Sequence, residues 1–209
     1  MATASPVLED DSWLSRADRA LRPLERIMAL LSGLAAFSLM FLAMWSVTGR
    51  TFLGAPLLGY VDYIQLLMPL IAIFGISFVQ RDGTHIRMDI LVGQLRGRLL
   101  WLVELIMVVL MLLLILALIW GSWSHFGRSF SWDAPLWSKD STIDVNAPIW
   151  PSKILVPVAF AVLALRLVIQ AIGYGRALVL GLEHPVAVPL VQSAAELARA
   201  EAEALEGAD

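Results

Sequence analysis

The sequence predicts an all-α integral membrane protein with four transmembrane helices and an interfacial amphipathic helix between spans two and three. Of its 209 residues, 59% are hydrophobic and 16% are charged, whereas about a quarter of the residues in a soluble domain are charged. The apolar residues form long blocks, and crossing a bilayer takes about 20 of them in a helix. Four blocks are long enough. They cover residues 27–48, 61–80, 99–123 and 153–175, within a predicted membrane domain of residues 27–180.

A polar N-terminal segment, residues 1–26, precedes the first span. The first apolar block begins only after this segment, so the block is neither placed nor sized like a cleaved signal peptide. We therefore expect span one to be a permanent helix. Between Ser12 and Arg26 the apolar side chains fall near one side of a helix. The segment is therefore a candidate for a second interfacial helix, with Pro23 late in it.

Basic residues near the span ends predict the orientation, because positively charged flanks stay in the cytoplasm. Arginine is concentrated before span one and between spans two and three, and it is sparse in the opposite loops. The inner flanks carry Arg16, Arg19, Arg22, Arg26, Arg81, Arg87, Arg96 and Arg98. We therefore expect a multi-pass protein with both the N and the C terminus in the cytoplasm.

The stretch between spans two and three is too polar to cross a bilayer, yet it has one apolar face. At 100° per residue, one side of a helix carries Met88, Leu91, Val92, Leu95 and Leu99. This pattern predicts a helix over residues 84–98 lying in the cytoplasmic interface. The alternative is a solvated turn followed by the start of span three.

Two further segments lie outside the predicted spans. Residues 121–151 carry Trp, Ser and three prolines, and they are too polar to form a fifth span. They predict a periplasmic loop or a short re-entrant excursion. Residues 181–209 form a cytoplasmic acidic tail that ends in an Ala/Glu run, which is either a short soluble helix or disordered chain.

Two ionisable residues fall inside predicted spans, Glu104 in the third and Arg166 in the fourth. A charge inside the bilayer costs about 2.5–3.5 kcal/mol on insertion scales. Each of the two side chains therefore needs either an oppositely charged partner or a conformation that reaches the membrane interface. Both lie in the cytoplasmic half, where an ion pair between neighbouring helices is geometrically allowed. The alternative is that Arg166 reaches the inner headgroups while Glu104 sits at the interface.

At the outer side, Arg50 ends span one and Asp62 opens span two, separated by a glycine-rich loop. The loop can bring the two side chains together. The alternative is a solvated interface pair, which contributes little stability.

Few residues could carry chemistry. His85, His125 and His184 fall in predicted loops, which disfavours a haem-binding anchor. Asp82, His85 and Asp89 could form a cytoplasmic enzyme site, but three such residues in eight positions are commonplace, and an anchoring turn is the better interpretation. The chain has no cysteine and a net charge of -3, so it offers neither a thiolate site nor a basic surface for nucleic acid. We predict no catalytic, metal or cofactor-binding residue and expect no enzyme.

The stretch from Arg50 to Ile90 resembles the DctQ-like family, the small membrane subunits of tripartite ATP-independent periplasmic (TRAP) transporters. The resembling pattern has an Arg after span one, an acidic residue opening span two, a Gly within that span and an Arg-x-Gly-x-His-Ile-x-x-Asp turn. It is carried here by Arg50, Asp62, Gly75, Arg81, Gly83, His85, Ile86, Asp89 and Ile90. The stretch from Pro148 to Pro157 resembles the start of the family's last span. One departure is Asp62, where the family pattern usually has Glu.

The resemblance implies a scaffold subunit in the bacterial inner membrane, surrounded by lipid. Its implied partners are a large multi-span permease that uses a sodium gradient and a periplasmic solute-binding protein. The spans fit a passive role because the sequence has no inverted pair of broken helices of the kind that forms transport sites. The candidate structural or partner-contact residues are Arg50, Asp62, Gly75, Arg81, His85, Asp89, Glu104, Trp150 and Arg166.

Overall fold

A computed structural model describes residues 12–55, 57–81, 98–181 and Val188 of this chain. The helices are α1 (Trp13–Leu53), α2 (Tyr60–Phe74), α3 (Ile76–Arg81), α4 (Arg98–Ser129) and α5 (Trp150–Leu180). Helix α1, the α2–α3 pair, α4 and α5 are each long and apolar enough to cross a membrane, which confirms the predicted fold class. The predicted span limits within these helices stay predictions. Most of the predicted interfacial helix, at 84–97, lies outside the described residues, as does the tail from residue 182 apart from Val188.

Helix α1 is longer than predicted. It runs unbroken for 41 residues, about 60 Å at ~1.5 Å per residue, or twice the ~30 Å of bilayer hydrocarbon. Residues 13–26 therefore form the first part of the same helix as span one and not a separate interfacial helix. Ser12 starts it, because its Oγ accepts the backbone N–H of Ser15 at 3.4 Å as an N-cap residue does. The helix continues through Pro23.

Span two bends at Gly75, which joins α2 to α3. The Gly75 N–H turns to the carbonyl of Ile73, and Ile71, four residues before Gly75, would otherwise have been its acceptor. The Ile71 carbonyl instead accepts the Ser32 hydroxyl of α1 at 2.9 Å. Because an unsatisfied carbonyl is costly in a membrane, this bond stabilises the bend. Gly75, a candidate from the sequence, is thus a helix junction.

The chain divides into two compact units. The first comprises the described residues of 1–20, 79–111 and 166–209, and the second comprises those of 21–78 and 112–165. An apolar cluster in the second unit centres on Met28, Phe74, Ala159 and Val162, contributed by α1, α2 and α5. Helix α5 is the best covered, with 44% of its most apolar window buried, against 11–17% in the other three spans.

Helix α4 continues to Ser129, so the predicted outer connection is shorter than 121–151. Residues 130–149 form two antiparallel bridges, Phe130 with Ser138 and Ser141 with Pro148. Between them is a 3₁₀ turn, Pro135–Trp137. All of this connection is described, and it contains no α-helix that could re-enter the membrane. It therefore folds as a compact loop between α4 and α5.

Gly59, just before α2, is a glycine whose replacement should be costly. Its φ of 72° is left-handed, and a Cβ there would lie 2.5 Å from Cγ1 of Val145. We expect Gly59→Ala to lower the free energy of unfolding by about 1–2 kcal/mol, measured by thermal unfolding in detergent. Gly33→Ala is the matched control, because nothing lies within 4 Å of the added Cβ in a helix. Equal midpoints for the two variants would contradict the strain at Gly59.

Candidate functional site

Three charged side chains from three helices meet in the first unit, and we call them the Asp18 cluster: Asp18 of α1, Arg81 of α3 and Arg166 of α5. Asp18 Oδ2 accepts a hydrogen bond from Arg81 Nη2 at 3.0 Å, and Asp18 Oδ1 accepts one from Arg166 Nη1. The side chains of Asp18 and Arg166 are each 1% exposed, and that of Arg81 is 8% exposed. One carboxylate therefore joins two buried guanidinium groups.

The cluster continues through uncharged neighbours in the same unit. Gln80 and Gln170 bond reciprocally: Gln80 Nε2 donates to Gln170 Oε1 at 2.9 Å, and Gln170 Nε2 donates to the Gln80 carbonyl at 3.1 Å. Nearby on α4 and α5, the rings of Trp101 and Tyr174 stack with centroids 6.0 Å apart. Because buried polar groups are costly unless hydrogen-bonded, the two glutamine bonds fix the register of α3 against α5, while the ring pair packs α4 against α5.

Arg166 and Glu104, the two intramembrane charges of the sequence, are both buried. Arg166 bonds to Asp18 and is buried within the chain, which favours a bonded arginine over one that reaches out to the headgroups. Glu104 also has a bonding partner. Asp18 was not predicted as a site residue because it lies in the polar segment before span one. The clue was that two buried arginines, Arg81 and Arg166, need a carboxylate to neutralise them, and the predicted spans contain few carboxylates.

Asp62 forms a second bonded site, in the second unit. Its Oδ2 accepts the backbone N–H groups of Asp144 at 2.9 Å and Val145 at 2.8 Å. In the same turn, Thr142 Oγ1 accepts the N–H of Ala147 at 2.9 Å. A carboxylate that accepts several backbone N–H groups makes strong, charge-assisted bonds. Asp62 thus ties the start of α2 to residues 142–147 of the outer connection.

The remaining candidate residues from the sequence do not form a common site among the described residues. Arg50 is exposed at the end of α1, and within the described part of the chain no ion pair joins it to Asp62. Trp150 begins α5 and donates its Nε1 to the Leu136 carbonyl at 2.9 Å. Asp82, His85 and Asp89 lie outside the described residues. Among the residues that are described, no group of three His, Asp or Glu side chains could hold a metal ion.

A third polar group, which we call the Lys153 trio, joins Lys153 of α5, Asp140 of the connection and Ser129 of α4. Lys153 Nζ donates to Asp140 Oδ2 at 3.0 Å and also to Ser129 Oγ. Ser129 Oγ donates to the same Asp140 oxygen at 2.6 Å. The bond from Ser129, with the bond and charge of Lys153, lowers the pKa of Asp140 below its ordinary value, so this carboxylate is charged at neutral pH.

The Asp18 cluster should be essential for stability. Removing the charge in Asp18→Asn leaves two buried arginines without their shared carboxylate, which typically costs about 3–5 kcal/mol. We expect a large fall in the thermal unfolding midpoint in detergent. Asp133→Asn, at an exposed position of the connection, is the control and should stay within about 0.5 kcal/mol of the native protein. An unchanged midpoint for Asp18→Asn would show that the arginines do not depend on its charge.

Asp62 should control the order of the outer connection. We expect Asp62→Ala to accelerate hydrogen exchange at the amides of Asp144 and Val145, because their shared acceptor is removed. Asp62→Asn keeps a carbonyl acceptor without the charge and should give an intermediate rate. Mass-spectrometric exchange of peptides covering 142–147 measures both variants, with the peptide around Gln170 as an internal control. Equal exchange in Asp62→Ala and the native protein would rule out this role.

The comparisons with known proteins agree with the membrane architecture. A family model described as tripartite ATP-independent periplasmic transporters, DctQ component, matches residues 39–174, which is more than half of the chain. No curated protein matches the chain. The matched range includes Arg50, Asp62, Gly75 and Arg81, on which the resemblance was based, and it also includes Arg166. The chain therefore belongs to the DctQ family, the small membrane subunits of TRAP transporters.

Proposed function

We propose that this chain is the static scaffold subunit of its transporter. It would hold a large multi-span permease in register with the bilayer, while a periplasmic binding protein delivers the solute and a sodium gradient drives uptake. We further propose that it lies in the bacterial inner membrane with both termini in the cytoplasm. The observation that carries this proposal is that the buried charges of Asp18, Arg81 and Arg166 are bonded within the chain itself.

The Asp18 cluster supports a passive role. A transport site needs polar groups that can exchange protein partners for solute or ions. Asp18, Arg81 and Arg166 are nearly inaccessible and bond to one another, as do Gln80 and Gln170. Breaking such bonds in every transport cycle would leave buried charges unpaired, which is strongly unfavourable. A part of the protein built in this way is suited to holding its shape while another subunit moves.

The exposed faces of α1 and α4 support contact with lipid and with a large apolar partner. On α1, Leu30, Leu34 and Phe37 are more than half exposed, and on α4 Leu110 and Leu114 are more than half exposed. These positions recur at helical spacing and form apolar stripes on long helices. In a membrane such stripes face acyl chains or other transmembrane helices. A small subunit beside a large permease requires surfaces of this kind.

A membrane enzyme built on Asp82, His85 and Asp89 was the alternative from the sequence. The DctQ family is a transporter component family and not an enzyme family, and the chain is accordingly not an enzyme. Those three residues are better candidates for an anchoring turn, as the sequence analysis proposed.

The scaffold proposal is tested by reconstitution into proteoliposomes. We expect sodium-driven uptake only when this chain, the large permease and the binding protein are all present. The chain should also co-purify with the permease. Asp18→Asn should weaken co-purification and uptake together, because both depend on the folded scaffold, whereas Asp133→Asn should change neither. Uptake by this chain without the permease would overturn the proposal.

A further inference from the structure

A groove between α4 and α5 in the second unit is not used by the scaffold role. Its volume is about 360 Å³, within the range of small-ligand pockets, roughly 300–1,000 Å³. One wall is a single face of α4 with Ala117, Gly121 and His125, spaced by four residues. The other wall is one face of α5 with Lys153, Val156 and Phe160. The groove thus follows both helices from their ends at the outer connection into their apolar segments.

The deep part of the groove is apolar and is open because of small side chains. Nothing lies within 4 Å of a Cβ added to Gly121. The one hydroxyl in the wall, Ser122 Oγ, donates to the backbone carbonyls of Leu118 and Ile119 of its own helix, so it presents no unsatisfied donor to the groove. From His125 to Ala117 the groove extends about 12 Å at ~1.5 Å per residue. A straight hydrocarbon chain matches this shape and chemistry.

The shallow end is polar, with His125 in the groove wall and Asp140 outside the wall, bonded to Lys153. Lys153 lines the groove, and its ammonium has three N–H donors, of which Ser129 and Asp140 take two. The third donor and the exposed His125 can bind an anion. Both bonds accepted by Asp140 go to Oδ2, so its Oδ1 can accept from a cation. The Asp140 side chain is 49% exposed and that of Lys153 is 23% exposed.

We propose that this groove binds one zwitterionic phospholipid of the phosphatidylethanolamine class. An acyl chain would occupy the apolar channel beside Gly121, the phosphate would bind Lys153 and His125, and the ammonium would bind Asp140. A headgroup with phosphate and ammonium complements both signs of charge. A phosphatidylglycerol headgroup has the phosphate for Lys153 but no ammonium for Oδ1 of Asp140, which would gain no second cation beside Lys153. The occupant is therefore a lipid held by its headgroup and not one of the general acyl chains around the helices.

Gly121→Leu is the decisive variant, because its Cβ meets nothing within 4 Å and the rest of its side chain would occupy the channel. Gly127→Leu is the matched control: it is on the same helix, a Cβ there also meets nothing within 4 Å, and it does not line the groove. The full-length chain is exchanged into nanodiscs with equal phosphatidylethanolamine and phosphatidylglycerol, and retained lipids are counted by native mass spectrometry. We expect a retained phosphatidylethanolamine in the native chain and in Gly127→Leu, and its loss in Gly121→Leu. Equal retention in all three would overturn the proposal.

The headgroup assignment is tested with Asp140→Asn, which removes the negative charge but keeps an amide that can accept from Ser129. The preference for phosphatidylethanolamine over phosphatidylglycerol should fall by roughly tenfold, equivalent to ~1.4 kcal/mol. An unchanged preference, or a native preference for phosphatidylglycerol, would overturn the assignment.

A photo-crosslinking measurement on the native chain does not depend on the folding of any variant. Phosphatidylethanolamine with a diazirine on its acyl chain should label peptides containing Ala117–Ser122 or Val156–Phe160. Labelling confined to other helices would contradict the site. A further outcome is that, in the complete transporter, the diazirine lipid labels the permease chain and leaves these peptides unlabelled. That result would mean that a permease segment occupies the groove and that the lipid proposal is wrong. None of these outcomes depends on solute uptake, so they are separable from the scaffold proposal.

Discussion

The bonds from one carboxylate, Asp18, to two arginines are the interaction on which the first unit depends. Moving a charged group from water into a low-dielectric interior costs several kcal/mol even after relaxation. Arg81 and Arg166 are tolerated there because Asp18 offers each of them one oxygen. This requirement explains the length of α1: the helix must continue, unbroken, far enough before its apolar part to carry Asp18 to the other two helices. It also explains why α3 remains helical up to Arg81.

The backbone obeys the same requirement as the side chains. A transmembrane helix cannot leave carbonyl groups unpaired in hydrocarbon, and Gly75 interrupts the helical hydrogen bonds of span two. The Ser32 hydroxyl of the neighbouring helix α1 donates a hydrogen bond to the carbonyl of Ile71, which this interruption leaves without its helical partner. Serine in a transmembrane helix often bonds to its own preceding turn, as Ser38 does with Leu34. Ser32 instead bonds across helices, and this couples α1 to the bend in span two.

Hydropathy was sufficient to predict the fold class, because four apolar blocks of the required length have few other solutions in a bilayer. The partners of the polar residues could not be predicted in this way. Asp62 accepts hydrogen bonds from residues more than 80 positions later, and Asp18 bonds to Arg166 across 148 positions. Such contacts are set by the packing of helices, which a periodic pattern does not encode. The family resemblance pointed to Arg81 and Asp62 as important but identified neither partner, and the position of Arg50 and Asp62 at neighbouring span ends did not identify the partner of Asp62 either.

The polar groups of this chain differ in how completely their bonding capacity is used. In the Asp18 cluster both carboxylate oxygens accept hydrogen bonds and the three side chains are at most 8% exposed, so the cluster fixes helices and leaves a ligand little access. In the Lys153 trio one ammonium donor and one carboxylate oxygen are not used by Ser129 or by each other, and the side chains are partly exposed at the end of an apolar groove. A buried, bonded polar site stabilises a fold, whereas a partly exposed one with unused bonding capacity beside an apolar channel has the attributes of a lipid site. The same chemistry therefore joins helices at one place and, in the proposed lipid site, would attach the chain to the bilayer at another.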